Sequence, residues 1–146
     1  MKDDTVYLAH IMEAIEKIER YAAGKTCDDL VSDSLLQDGL ARQLQIIGEA
    51  CKQVSMEIKE DNPGVPWRAI AGMRDVLVHQ YCGVIQKDVW DTVKNDIPGL
   101  KNAVERILEP AGGFKALREK TAEYAAKKKI KPKDVKEAIK RARRKK

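Results

Sequence analysis

The sequence predicts an all-α protein: an up-down bundle of four to five helices followed by a basic, partly helical C-terminal tail. Apolar residues recur at alternating intervals of three and four, which is the spacing of one face of an α-helix. Aromatic residues make up only 5% of the chain and β-branched runs are scarce, so no segment resembles a strand. A chain of 146 residues can bury one core of this kind, but not two.

Two apolar stripes predict the first two helices, over about residues 4–22 and 34–60. The stripes are Leu8, Ile11, Ile15, Ile18 and Ala22, and Leu40, Leu44, Ile47, Cys51, Val54 and Ile58. Gly24 suits the end of the first helix, because glycine readily adopts the left-handed conformation found there. The polar segment that follows, KTCDDLVSDS, is predicted to be a loop or a poorly formed turn.

Gly48 lies inside the second predicted helix. A glycine there costs about 1 kcal/mol relative to alanine. We interpret it as a position at which another helix approaches closely, since glycine has no side chain to hold a neighbour away.

The next helices follow the segment EDNPGVPW, whose two prolines and glycine mark a break in the chain. A short helix is predicted over about 66–81, with Pro66 in its first turn, where a missing N–H costs nothing. Another helix begins near Gln86. Pro98 is predicted to interrupt it, and "PGLKNAVERILEP" continues as the last helix of the body.

The segment PAGG (110–113) is the best linker in the chain, and it divides a helical bundle (1–112) from a basic tail (113–146). The bundle holds 13 Lys/Arg and 19 Asp/Glu, a net charge of −6, whereas the tail holds 15 Lys/Arg and 4 Asp/Glu, a net charge of +11. Within the tail, 114–129 and 133–145 have helical composition but little apolar surface. The tail is therefore a solvated segment, a sequence-independent attractor of RNA phosphates, a segment that docks on an acidic surface of a partner protein, or one that folds back on the acidic body of its own dimer.

Composition argues against several other classes of protein. No run of 18 apolar residues exists, so we expect no membrane span. The N-terminus is acidic where a signal peptide would be basic, so we expect a cytoplasmic protein. Cys27, Cys51 and Cys82 form no CxxC motif, which favours neither a zinc site nor a disulfide framework. We expect reduced cysteines, no metal and no cofactor.

The segment RDVLVHQY contains one of only two histidines, His79, close to Arg74 and Tyr81. A purely structural interpretation is available. Arg74 would pair with Asp75 or another acid, and His79 would cap a helix end, where a cation is favoured. Three further residues of this helix suit the core. They are Ile70, Met73 and Leu77.

A functional interpretation is that the three residues cleave RNA without a metal. That reaction needs a base for the ribose 2′-hydroxyl, an acid for the leaving 5′-oxygen and a cation beside the phosphate. Histidine suits both proton transfers, and arginine suits the phosphate. One His79 cannot serve as base and acid at once, but a two-fold dimer supplies two. On one ideal helix Arg74 and His79 lie about 140° apart, so they converge only if the helix ends or distorts, or across two chains.

The pattern Arg-x4-His-x-Tyr resembles the signature of the HEPN superfamily, in its HepT-like toxin branch. Three stretches support the resemblance: "QLQIIGEACK" (43–52), "PWRAIAGMRDVLVHQYCGV" (66–84) and "VWDTVKNDIPGLK" (89–101). Together they extend the resemblance over about residues 4–109, and it stops before the tail.

The resemblance implies a helical bundle that forms a homodimer with its motifs facing each other. It implies a metal-independent endoribonuclease toxin of a type VII-like toxin–antitoxin system, with RNA as substrate. The partner implied is a minimal nucleotidyltransferase antitoxin of the MntA type, which neutralises the toxin by AMP transfer to Tyr81. By the same resemblance, Arg74 would bind phosphate, His79 would transfer protons, and Tyr81 would also contact RNA.

Two acidic residues are supporting candidates. Asp75 stands where the family often has a polar residue, so it either orients Arg74 or the partner's His79, or repels RNA. Glu49 either faces the cleft or is an interior hydrogen-bond partner. The alternatives to a nuclease are a non-catalytic HEPN partner of a nucleotidyltransferase, and a basic RNA-binding protein that acts through its tail.

Overall fold

The computed structural model describes residues 4–79, 85–127 and 139–142. Within these ranges the regular elements are helical and no strand occurs, which confirms the predicted all-α fold. The helices are α1 (Asp4–Ala22), α2 (Cys27–Ser32), α3 (Ser34–Gln53), α4 (Met56–Asp61), α5 (Trp67–His79), α6 (Gln86–Asp91), α7 (Ile97–Leu108) and α8 (Gly113–Lys127). Among the described residues, we find no helix with the length and apolar character that a membrane crossing needs.

Helix α3 is the centre of the bundle, with α1 packed along one side and α5 along another. Helix α7 also packs on α1. Both predicted stripes face this core: every member is buried except Ile58, which is partly buried. The 3.6-residue period therefore placed the buried faces of α1 and α3 correctly.

The segment predicted to be a loop, KTCDDLVSDS, contains helix α2, so that prediction was wrong. Thr26 and Asp29 form a reciprocal capping box. The backbone N–H of Thr26 donates to the Asp29 carboxylate at 2.8 Å, and that of Asp29 donates to the Thr26 hydroxyl at 3.2 Å. Leu30 is fully buried. A capped first turn and one buried anchor are enough to hold this six-residue helix.

The predicted helix over 34–60 is two helices, because α3 ends at Gln53 and α4 begins at Met56. Val54 and Ser55 between them have extended backbone. The N–H of Ser55 donates to the Asp4 carboxylate at 2.9 Å, and the Ser55 hydroxyl accepts from the first turn of α4. A contact from the start of α1 thus stabilises the break, which the periodicity of α3 did not reveal.

Pro98 does not interrupt its helix, contrary to prediction. Helix α6 continues through a π-helical turn, Thr92–Asp96, directly into α7. Pro98 stands in the first turn of α7, where its missing N–H is tolerated. A π-turn changes the hydrogen-bond spacing locally, so the chain continues past the proline without a break.

The first half of the basic tail is helical and contacts the body. Gly112 and Gly113 have φ values of 91° and 83° and turn the chain into α8. Phe114 of α8 packs against the core, and Arg118 lies over its ring, 4.5 Å from the centroid. Arg118 also forms an ion pair with Glu16 of α1. This part of the tail therefore has an acidic partner, Glu16, in the body of the same chain.

Gly48 is the point of closest approach between α3 and α5. A Cβ atom placed on Gly48 would lie 2.4 Å from the Cβ atom of Arg74 and 3.2 Å from the carbonyl oxygen of Ile70. These separations are below or at the limit of van der Waals contact. The interpretation of Gly48 as a close-approach position is confirmed.

We predict that Gly48→Ala destabilises the fold by about 1–3 kcal/mol, because the overpacking penalty exceeds the gain of about 1 kcal/mol in helix propensity. Chemical denaturation measures the free energy of unfolding. Gly72→Ala is the matched control, since Gly72 lies inside α5 and nothing surrounds its Cβ position within 4 Å. The control should be neutral or stabilising. Equal effects at both glycines would contradict the close-approach account.

Candidate functional site

Arg74 lies on α5 directly over Gly48, and its half-buried guanidinium is held by two carboxylates. Its Nε atom is 3.2 Å from Oε2 of Glu49 on α3. Its Nη1 atom is 3.0 Å from Oδ1 of Asp75 on its own helix. The orientation of Arg74 is therefore set by one acid from each of the two packed helices.

Lys52 completes a chain of four charges that we call the ion network: Glu49, Arg74, Asp75 and Lys52. Its Nζ atom lies 2.8 Å from Oδ1 of Asp75, the same oxygen that Arg74 contacts. The network carries two positive and two negative charges and links α3 to α5. Of the roles expected for Asp75, orienting Arg74 is the one that the geometry supports.

The two cations hold the pKa of the Asp75 carboxyl below its ordinary value of 3.8. The first cause is the hydrogen bond from Lys52, and the second is the hydrogen bond from Arg74. Because this pKa is depressed in the folded state, the contribution of Asp75 to stability is present above the ordinary value and is lost as the pH falls through the folded value.

The Arg74 guanidinium borders an open groove of about 350 Å³, which we call the α3 trough. The floor of the trough is α3, with α1 as one wall and α5 as the other. The lining residues are Tyr7, His10, Arg42, Gln45, Ile46, Glu49, Ala50, Gln53, Arg74 and Val78. Glu49 is exposed and lines this trough, so its alternative placement as an interior partner was wrong.

His10 is a lining residue that no sequence pattern had indicated. It has no cationic neighbour along the sequence, but the packing of α1 on α3 brings it to the same trough as Arg42 and Arg74. A larger groove of about 870 Å³ lies among α1, α7 and α8 and contains none of the predicted site residues. The α3 trough is therefore the better candidate despite its smaller volume.

The structure describes only the backbone of His79 among the other two residues of the Arg-x4-His-x-Tyr motif. His79 is the last residue of α5, and its side chain lies outside the described structure, as does Tyr81. Helix α5 is regular from Arg74 to position 79, so the two positions stay about 140° apart around its axis. The helix neither ends nor distorts between these two positions.

The structure offers little for metal or thiol chemistry in the described ranges. No cluster of three or more His, Cys, Asp or Glu residues there is arranged to hold a metal ion. Cys27 and Cys51 form no disulfide, and Cys82 lies outside the described residues. Burial raises the pKa of the Cys51 thiol to about 12, so this thiol stays protonated and acts as an apolar core group.

Comparison with known proteins gives one family. The sequence model described as Ribonuclease HepT-like matches residues 11–107. A Methanocaldococcus jannaschii protein, named for gamma-glutamylcyclotransferase and a candidate RNase, is 45% identical over 74% of this chain, but the match covers only 49% of that protein. The chain thus spans about half the length of this relative. No solved structure matches the chain.

Two shorter relatives are covered almost completely. A candidate RNase of Caldanaerobacter subterraneus is 40% identical over 75% of this chain and 97% of its own length. A Thermococcus cleftensis protein named probable ribonuclease HepT is 44% identical over 69% of this chain and 92% of its own length. The part of the chain that the family model matches, residues 11–107, contains α3, α5 and the ion network.

We predict that Lys52→Met raises the pKa of the Asp75 carboxyl, because it removes the larger of the two hydrogen bonds that depress it. NMR titration of that carboxyl measures the change. Lys87→Met on α6 is the control and should leave the pKa of Asp75 in place. An unchanged pKa in Lys52→Met would show that Lys52 does not hold Asp75 in solution.

Proposed function

The chain belongs to the HepT-like ribonuclease family, and on that premise we propose that it is an endoribonuclease that cleaves RNA without a metal ion through Arg74 and His79. The observation that supports this most directly is the placement of Arg74. Its guanidinium is oriented by Glu49 and Asp75 at the edge of an open trough. A fixed cation beside a groove is what a phosphate-cleaving site needs.

In the proposed reaction one imidazole removes the proton of a ribose 2′-hydroxyl. The 2′-oxygen attacks the adjacent phosphorus and forms a 2′,3′-cyclic phosphate, while the bond from phosphorus to the 5′-oxygen breaks. A second, protonated imidazole gives its proton to that leaving oxygen. The base ends protonated and the acid ends neutral, so proton exchange with water restores both.

Arg74 would stabilise the negative charge that builds up on the phosphate oxygens. Its Nε and Nη1 atoms face Glu49 and Asp75. A guanidinium has five N–H groups, more than these two contacts use, so Arg74 can also donate to phosphate. The carboxylates thus preorganise the guanidinium for the charge that develops on the substrate.

The two imidazoles would come from the two chains of a homodimer. Positions 74 and 79 diverge by about 140° on the regular helix α5, so one chain does not bring them to the same side of the helix. A two-fold axis near the end of α5 would bring a second motif to the first. One His79 would then be the base and the other the acid.

We also propose that Tyr81 is the regulatory position of a toxin–antitoxin pair. A minimal nucleotidyltransferase antitoxin would form a bond between the tyrosine oxygen and the α-phosphorus of ATP, with pyrophosphate as leaving group. The added phosphodiester would place negative charge and bulk two residues from His79, where the RNA phosphate must bind.

A second candidate function is a non-catalytic partner of the nucleotidyltransferase, and the ion network favours it. Two carboxylates offset the charges of Arg74 and Lys52, so the network as a whole attracts no anion at long range. Under this alternative the motif would serve docking and modification. The two functions differ in one measurable respect, which is RNA cleavage.

We expect the purified wild-type chain with unmodified Tyr81 to cleave RNA in EDTA. Arg74→Ala and His79→Ala should each cleave at least 100-fold more slowly, because each removes an acid–base or charge-stabilising group. Intact mass first establishes that Tyr81 is unmodified. Arg20→Ala is the matched control and should cleave like wild type, because Arg20 is exposed near the C-terminal end of α1. No cleavage by unmodified wild type would favour the non-catalytic partner.

Mixing wild type with His79→Ala tests the shared site. If both imidazoles of a dimer are needed, the rate falls as the square of the wild-type fraction after subunit exchange. If each chain has its own complete site, the rate falls in direct proportion to that fraction. A proportional decline would exclude the two-chain arrangement while leaving the nuclease activity in place.

We predict that a minimal nucleotidyltransferase of the MntA type, supplied with ATP, adds AMP to the wild-type chain and abolishes its RNA cleavage. Intact mass and peptide mapping measure the addition and its position. Tyr81→Phe should remain unmodified and should resist inactivation. Tyr21→Phe should behave like wild type, whereas modification of Tyr81→Phe would place the acceptor elsewhere.

A further inference from the structure

We propose that the α3 trough is a nucleotide-binding subsite for single-stranded RNA, in which Arg42 contacts a phosphate and His10 contacts a base next to the phosphate held by Arg74. The proposal rests on the proposed ribonuclease function and extends it from the cleaved bond to a neighbouring nucleotide. It assigns roles to two residues outside the Arg-x4-His-x-Tyr motif.

The chemistry of the trough combines the three kinds of group that hold single-stranded nucleic acid. Arg42 and Arg74 supply positive charge for the backbone. Tyr7, which is half-buried, and the exposed imidazole of His10 supply rings on which a base can stack. Gln45 supplies an amide that can both donate to and accept from a base edge. The volume of about 350 Å³ is at the lower end of small-molecule pockets.

Arg42 and Arg74 differ in how their charges are offset. Within the described ranges no carboxylate lies within ion-pair distance of Arg42, whereas Arg74 is held by two. Arg42 and Glu49 are seven residues apart on α3, which corresponds to two helical turns or about 10 Å. The trough therefore has an oriented cation at one end and an uncompensated cation about two turns away, so an extended polyanion can contact both.

A second copy of the chain suits the Arg42 end of this trough less well than RNA does. Burial of Arg42 in a protein interface would need a carboxylate partner to offset its desolvation. The acid that lines the trough is Glu49, which is already engaged by Arg74. RNA instead brings its own negative charge, and its binding leaves the Glu49–Arg74 pair intact. The groups in the trough thus favour RNA over a second protein surface.

The test measures binding of a single-stranded RNA oligonucleotide whose 2′-hydroxyls are methylated, so that it cannot be cleaved. Fluorescence anisotropy gives the Kd over a range of salt concentrations for full-length wild type, Arg42→Gln, His10→Ala and the control Arg20→Gln. Arg20→Gln removes the same charge from an exposed position outside the trough. We expect Arg42→Gln to raise the Kd about tenfold and to reduce the salt slope by about one phosphate contact.

His10→Ala should raise the Kd severalfold and change the salt slope by less than Arg42→Gln does, because it removes a ring on which a base can stack. The control should change the Kd by less than twofold. The subsite is overturned if Arg42→Gln binds like the control, if wild type does not bind the oligonucleotide, or if Arg42→Gln changes the oligomeric mass, which would make the trough a protein interface.

This experiment separates the subsite from the nuclease. If wild type binds the oligonucleotide more tightly than Arg42→Gln but does not cleave natural RNA, the subsite is supported and the nuclease is rejected. Cleavage by wild type with unchanged binding in Arg42→Gln and His10→Ala would support the nuclease and reject the subsite.

Discussion

The close approach of α3 and α5 at Gly48 is the constraint on which the candidate site depends. A glycine inside a helix costs about 1 kcal/mol in helix propensity, yet a Cβ atom at this position would lie 2.4 Å from that of Arg74. Because position 48 has no side chain, Arg74 lies against α3, and its guanidinium reaches Glu49 one residue further on. Any larger residue would move α5 away from α3 and separate the ion network. Packing therefore outweighs propensity at this position.

The ion network orients Arg74 at the expense of long-range attraction. Four charges of alternating sign, joined by contacts of about 3 Å, hold the half-buried guanidinium of Arg74 in one orientation, but the net charge of the four is zero. Attraction of a polyanion at longer range must come from other charges, such as Arg42 or the basic tail. The first half of that tail is itself bound to the acidic body through Arg118 and Glu16. Orientation and attraction are thus supplied by different parts of the chain.

The sequence predicted the helices whose signals are local and periodic. It did not predict the features of the fold that depend on contacts between residues far apart in the chain. The stripes of α1 and α3 were visible because burial follows the 3.6-residue period. Helix α2 was missed because six residues show no period, and its capping box was not recognised. The break after Gln53 depends on Asp4, which lies 51 residues away from Ser55. The π-turn that precedes Pro98 likewise has no simple signature in composition or spacing.

The sequence by itself determined that the fold is all-helical, that position 48 is a close-approach point, and that Arg74, Asp75 and Glu49 are candidate site residues. These conclusions rest on residue type and spacing along one helix, which tertiary packing does not alter. Only the tertiary structure decided which acids hold Arg74, that Lys52 joins them, and that His10 and Arg42 share a trough with Arg74. The physical reason is that these contacts join α1, α3 and α5, whose relative positions are set by the packing of their buried faces.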